Sequence, residues 1–211
     1  MELKGKVFNF LGDSITEGCG VSCGDNVFHQ LIKRQYGMQH AYNYGVGGTR
    51  IARQITPSRV STRHDLTFEL RAEIMDKKAD AVVVFGGTND FGHGDALFGT
   101  ADSEDIYTFC GAVNSLITKL QRDFSTADVV FMTPLHRLGE NKPNPSSGKT
   151  LAEYAAAIRT ICGIRGIPVI DLFAIEPIDP ADEGLFPDGL HPNDKGHSVM
   201  AQVIAEELLK L

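Results

Sequence analysis

Nowhere in the 211 residues is there an apolar run long enough to cross a bilayer, or an apolar signal core followed by a small-residue cleavage site. The expectation is a cytoplasmic protein that does not insert into membranes. Basic residues are the minority, 20 Lys and Arg against 27 Asp and Glu, and the net charge of −7 removes any general attraction to nucleic-acid phosphates or anionic lipid surfaces. The four cysteines are too few and too scattered for a disulfide framework. Cys19 and Cys23 in "CGVSC" are close in sequence, but no further ligands stand at metal-site spacing, so no metal is expected. No charged tail, internal repeat or Pro/Ser-rich linker divides the chain. It reads as one domain, 1–211, large enough to bury a core without covalent staples.

What is present is alternation. Five β-rich runs recur, "KVFNFL" (6–11), "HAYNYG" (40–45), "DAVVVFG" (80–86), "DVVFMT" (128–133) and "IPVIDL" (167–172). The third and fourth are almost continuously apolar, as parallel strands covered on both faces require. Helical patterns separate them. Ser103 is placed to cap a helix bearing Ile106, Phe109, Val113, Leu116, Ile117 and Leu120. Thr150 is placed to cap another, ended by Gly166. A final helix from about Asp194 carries Val199, Val203, Ile204 and Leu208 along one side. Strands alternating with helices predict a three-layer α/β/α fold with a flavodoxin-like parallel sheet in the order 2-1-3-4-5. Ligands bind such sheets at the carboxyl ends of the strands, beside the reversal of strand order, here between strands 1 and 3. The residues just beyond those strands are "GDS" and "GGTND", which predicts that Ser14 and Asn89 face one crevice.

A serine hydroxyl becomes a nucleophile only with an adjacent base, itself oriented by a carboxylate. Among seven histidines, His191 stands out, in the turn-rich "FPDGLHPND" with Asp188 three residues before it and Gly189 and Pro192 to bend the segment. An oxyanion hole needs donors aimed at the developing negative charge. The Ser14 N–H lies at a helix start, Gly48 in "NYGVGGTR" lets a backbone N–H approach closely, and Asn89 supplies a side-chain amide.

The four blocks "GDS", "NYGVGG", "GGTND" and "DGLHP", in this order from Gly12 to Pro192, resemble those of the SGNH/GDSL hydrolase superfamily. The resemblance implies Ser14 as nucleophile and oxyanion donor, Gly48 and Asn89 as the other donors, His191 as general base then acid, and Asp188 as its orienting partner. It implies an acyl-enzyme mechanism on a small-molecule ester, with no metal or cofactor. The G-x-S-x-G pentapeptide of α/β-hydrolases is absent.

Other readings compete. Ser14 as a mere helix cap leaves the other three blocks unexplained. A non-catalytic, flavodoxin-like ligand-binding module leaves "DGLHP" without a role. Asp90 reads as a cap or turn residue, Asp13 as a support for the turn that presents Ser14, and His197 as a surface or supporting residue. Residues 50–64 hold four arginines and no acid, which reads first as a solvated segment pairing with acids elsewhere, and second as an anion-attracting rim. The flanking loops, 91–100 and 136–149, are rich in Gly and polar residues, which favours a short acyl group, such as acetyl, on a polar or carbohydrate alcohol. The alternative is a lysophospholipase or thioesterase acting on longer chains.

Overall fold

The computed structural model describes residues 1–211. The chain runs β1 (Val7–Gly12), α1 (Ser14–Glu17), α2 (Phe28–Tyr36), β2 (His40–Gly45), α3 (Phe68–Ala72), β3 (Ala81–Phe85) and α4 (Thr88–His93). It continues through α5 (Phe109–Asp123), β4 (Asp128–Met132), α6 (Leu151–Ile164), β5 (Val169–Ile170), α7 (Leu172–Ile175) and α8 (Asp194–Lys210). All five strands are parallel, in the order β2-β1-β3-β4-β5. The fold is the expected three-layer α/β/α sandwich. No helix is long and apolar enough to cross a membrane.

Every residue of the central strand β3, "AVVVF", is buried, and its period-2 alternation splits the core in two. Val82 and Val84 pack with Phe109, Leu116, Tyr154 and Ile158 under α5 and α6. Ala81, Val83 and Phe85 pack with Phe28, Ile32, Met200 and Ile204 under α2 and α8. Helix α6 begins as predicted, with a capping box in which Glu153 accepts from Thr150 N at 2.9 Å. Helix α5 begins later than the Ser103 reading. Thr108 is its cap, accepting from Gly111 N at 3.1 Å, and Ile106 lies outside the helix. Both residues are capping types, and only packing separates them. Strand β5 is shorter than its apolar run, since Pro168 has no N–H and Asp171 turns out of the sheet to cap α7.

Register sets the site. Gly12 of β1 is level with Gly45 of β2 and Phe85 of β3, so the segments that follow leave the sheet together. A Cβ on Gly45 would fall 2.1 Å from Glu17 N, so only glycine lets α1 pass this close to the end of β2.

Candidate active site

Ser14 is the first residue of α1, but it is not the cap. Asp13 takes that role, accepting from Ile15 N at 3.1 Å, which leaves the Ser14 hydroxyl free for another partner. Burial pushes the Asp13 carboxyl up to about 6. The Ser14 N–H, at the first helical position, has no acceptor within its own helix.

The partner is His191, whose Nε2 lies 2.9 Å from Ser14 Oγ across 177 residues of sequence. Its other nitrogen, Nδ1, is 2.7 Å from Asp188 Oδ2. The second Asp188 oxygen, Oδ1, accepts from Leu190 N at 2.9 Å and His191 N at 2.7 Å, so the loop clamps its own carboxylate in place. Burial alone would raise the Asp188 pKa, but the bonds from His191 N–H, its imidazole and Leu190 N–H outweigh it and bring the group down to about 2. A carboxylate at Nδ1 keeps that nitrogen protonated and leaves Nε2 as the acceptor for the Ser14 O–H.

Two further sequence-predicted residues lie just past the ends of β2 and β3. Gly48 has φ of +73° and its N–H meets no acceptor in the protein. Asn89, 5% exposed at the start of α4, donates from Nδ2 to Thr49 O at 3.0 Å, the residue next to Gly48. The 46–48 loop is held against α1 by Glu17, which accepts from Gly47 N at 2.6 Å and pairs with Arg63 at 2.6 Å. The structure thus brings Ser14, His191 and Asp188 into one hydrogen-bonded line, with Gly48 and Asn89 joined to each other through Thr49.

Several supports escaped sequence reading. Arg71 is buried on α3 and donates to Gly12 O at 2.7 Å, to Tyr44 O, and to Thr49 Oγ1 at 2.8 Å, tying the ends of β1 and β2 to the glycine loop. Its one signal is a charge within the short helix "FELRA". Asp90 is not a cap: its two oxygens accept from Ile51 N and Ala52 N at 3.0 and 2.9 Å, and α4 is preceded by Gly87. His197 is fully buried rather than superficial, with Nδ1 accepting from Phe28 N at 3.2 Å. His136, at the start of the 136–149 loop, sits between Glu140 of that loop and Phe173 O of α7, at 2.8 and 2.9 Å, and braces the loop against α7.

The arginine segment divides. Arg63 does pair with a distant acid, Glu17, and Arg59 is exposed. Arg50 is only 5% exposed, so the solvated reading fails for it. It bonds to Asp65, to His64 O and to His93 at 3.2 Å each. No cluster of three or more His, Cys, Asp or Glu side chains is placed to hold a metal ion.

A parallel sheet carrying a Ser–His–Asp line past the end of its first strand defines a hydrolase. The match to known proteins is specific: the chain belongs to the GDSL-like Lipase/Acylhydrolase family, whose model matches residues 10–199. One solved structure is 33% identical with a TM-score of 0.84, covering 100% of this chain and 99% of its own. A Lactobacillus plantarum protein is 28% identical with a TM-score of 0.82, covering 99% and 98%. An acetyl xylan esterase shares the fold at 20% identity and a TM-score of 0.65, covering 95% of this chain and 98% of its own. No protein of curated function matches the chain. The protein is a GDSL-type esterase/acylhydrolase.

Proposed function

We propose that the protein cleaves short-chain carboxylic esters, acetyl esters first among them, on a polar or carbohydrate alcohol, through an acyl-enzyme on Ser14. The observation that carries this reading is the unbroken line Ser14 Oγ–His191–Asp188, with spacings of 2.9 and 2.7 Å. Ser14 Oγ attacks the ester carbonyl carbon while its proton passes to His191 Nε2, and the imidazolium is stabilised by the Asp188 charge. The carbonyl oxygen, now negative, accepts from Ser14 N–H, Gly48 N–H and the Asn89 amide. Collapse breaks the bond to the alcohol oxygen, which leaves with the proton from Nε2. Water then repeats the sequence on the acyl-enzyme, giving the free acid and restoring Ser14.

The choice of substrate rests on what adjoins the site. A recess of about 360 Å³ is bounded by Arg50, Gln54, Ser58, Arg59, His64 and His93. It touches the catalytic cluster twice. The His64 ring occupies the space over Gly48, where an added Cβ would meet Nε2 at 2.3 Å, and His93 lies 3.1 Å from Asn89. Its lining residues are polar or charged apart from Val60, which suits a hydroxylated alcohol better than a long acyl chain. A larger recess of about 450 Å³, between Phe124, Gly166 and Leu211, opens at the amino-terminal end of β4, away from Ser14. The acetyl xylan esterase of the same fold is in keeping with an acetylated carbohydrate.

The test is hydrolysis of p-nitrophenyl esters from acetate to dodecanoate, with Ser14→Ala beside the wild type. Turnover greatest on acetate and abolished in the variant is expected. An optimum at octanoate or longer would transfer the substrate to lysophospholipids or thioesters. Full activity in Ser14→Ala would remove the nucleophile assignment.

A further inference from the structure

Asn89 is useful as an oxyanion donor only if its amide presents nitrogen, not oxygen, and an unrestrained amide can flip. We infer that Arg50 and His93 are positioning residues that lock the Asn89 amide, through a directed chain of hydrogen bonds running Arg50 to His93 to Asn89. This inference rests on the reading of Asn89 as an oxyanion donor.

The donors and acceptors along the chain admit one assignment. A guanidinium has no acceptor, so Arg50 Nη1, 3.2 Å from His93 Nδ1, must donate, and Nδ1 must be bare. The neutral ring then carries its proton on Nε2. That nitrogen is 3.1 Å from Asn89 Oδ1, so it donates there. Asn89 Nδ2 is thereby turned to Thr49 O at 3.0 Å, an atom that can only accept. The flipped amide would set oxygen against the Thr49 carbonyl and N–H against the His93 N–H. One N–H of Nδ2 goes to Thr49, and the other is left for the substrate oxygen.

The start of the chain is itself immobile. Arg50 is 5% exposed and its Nη2 is held by Asp65 Oδ1 and His64 O, each at 3.2 Å. Its backbone neighbours Ile51 and Ala52 are fastened to Asp90, the residue after Asn89, at 3.0 and 2.9 Å. Burial, with Arg50 and His64 alongside, holds the His93 pKa down to about 4, so the ring stays neutral under working conditions. The arginine of "GGTR" therefore serves the asparagine of "GGTND" from inside the protein.

The experiment is a double-mutant cycle in kcat between His93→Ala and Asn89→Ala, read on p-nitrophenyl acetate, with His93→Gln as the conservative variant. A full oxyanion donor is worth about 10²–10³ in rate, and a misdirected one should forfeit part of that. His93→Ala should therefore lower kcat about 10–100-fold with KM nearly unchanged, and add almost nothing once Asn89 is already alanine. His93→Gln, which can accept from Arg50 and donate to Asn89, should recover most of the loss. An undiminished His93→Ala loss in the Asn89→Ala background, or wild-type kcat in His93→Ala, overturns the inference. Wild-type activity in Asn89→Ala would instead overturn the oxyanion reading on which it rests. The wild-type protein supplies an independent measurement that survives any folding failure of the variants. Long-range ¹H–¹⁵N spectra of the full chain should show His93 as the Nε2–H tautomer, and the Nδ1–H form would refute the chain.

Discussion

Replacing Asp188 by asparagine tests the proposed mechanism more sharply than removing the side chain. Asp188 Oδ1 is pinned by Leu190 N–H and His191 N–H at 2.9 and 2.7 Å. In Asp188→Asn the amide oxygen must keep that place, because the opposite orientation would set the amide N–H groups against two backbone N–H donors. The amide nitrogen is then forced against His191 Nδ1, which becomes an acceptor, and the proton moves to Nε2. In that tautomer His191 cannot take the Ser14 proton. The lost charge also counts. At about 4 Å a unit charge is worth roughly 1 kcal/mol in water and 4 kcal/mol at an effective dielectric constant of 20, and Asp188, 55% exposed, belongs toward the lower figure. Asp188→Ala and Asp188→Asn both lose that charge, so their ratio isolates the tautomer. We expect kcat to fall by about 10⁴ in Asp188→Asn, a barrier increase of about 5.4 kcal/mol, and by less in Asp188→Ala. Steady-state rates on p-nitrophenyl acetate, with circular dichroism to confirm the fold, decide it. Equal or higher activity in the asparagine variant refutes the reasoning.

Three other outcomes follow from the geometry. Glu17→Ala removes the acceptor for Gly47 N–H and frees the loop bearing Gly48, so kcat on p-nitrophenyl acetate should drop about tenfold, while the loss of the exposed Arg63 pair changes thermal stability little. Unchanged kcat would show that the loop holds itself. Gly48→Ala must adopt φ of +73° and place Cβ 2.3 Å from His64 Nε2, so a stability loss of roughly 1–2 kcal/mol in urea unfolding is expected along with a fall in kcat. Stability should also decline on acidification. His29, His93 and His197 are held down to about 4 by burial, so the unfolded chain takes up their protons below about 6.5 while the folded chain refuses them. Asp13 and Asp90, raised to about 6 by burial, act with the opposite sign. Three groups against two leave unfolding with a net uptake of about one proton between pH 4 and 6, a slope of about 1.4 kcal/mol per pH unit measurable by urea titration. A flat or inverted profile would contradict it.

The sequence by itself determined where strands fall and which polar residues follow them, because those signals are local, and the alternation of strands with helices along the whole chain gave their order. Runs such as "AVVVF" can only be buried parallel strands in this alternation, and "DGLHP" carries carboxylate, imidazole and turn within a few residues. The family follows from the same blocks. The tertiary structure decided which polar groups support them. Arg50 and His93 are 43 residues apart, and Arg71 and Gly12 are 59 apart, so nothing in either local pattern marks them as partners. Arg50 reads as surface in an arginine-rich segment, but in the fold it is internal, bonded to Asp65, His64 O and His93 while Asp90 fastens its neighbours Ile51 and Ala52 onto α4. The burial of His197 against Phe28 and the choice of Thr108 over Ser103 were likewise decided by packing. Helix and strand periodicities report on a residue's own element, while hydrogen-bond partners are set by how elements pack, and packing is the property of the whole chain.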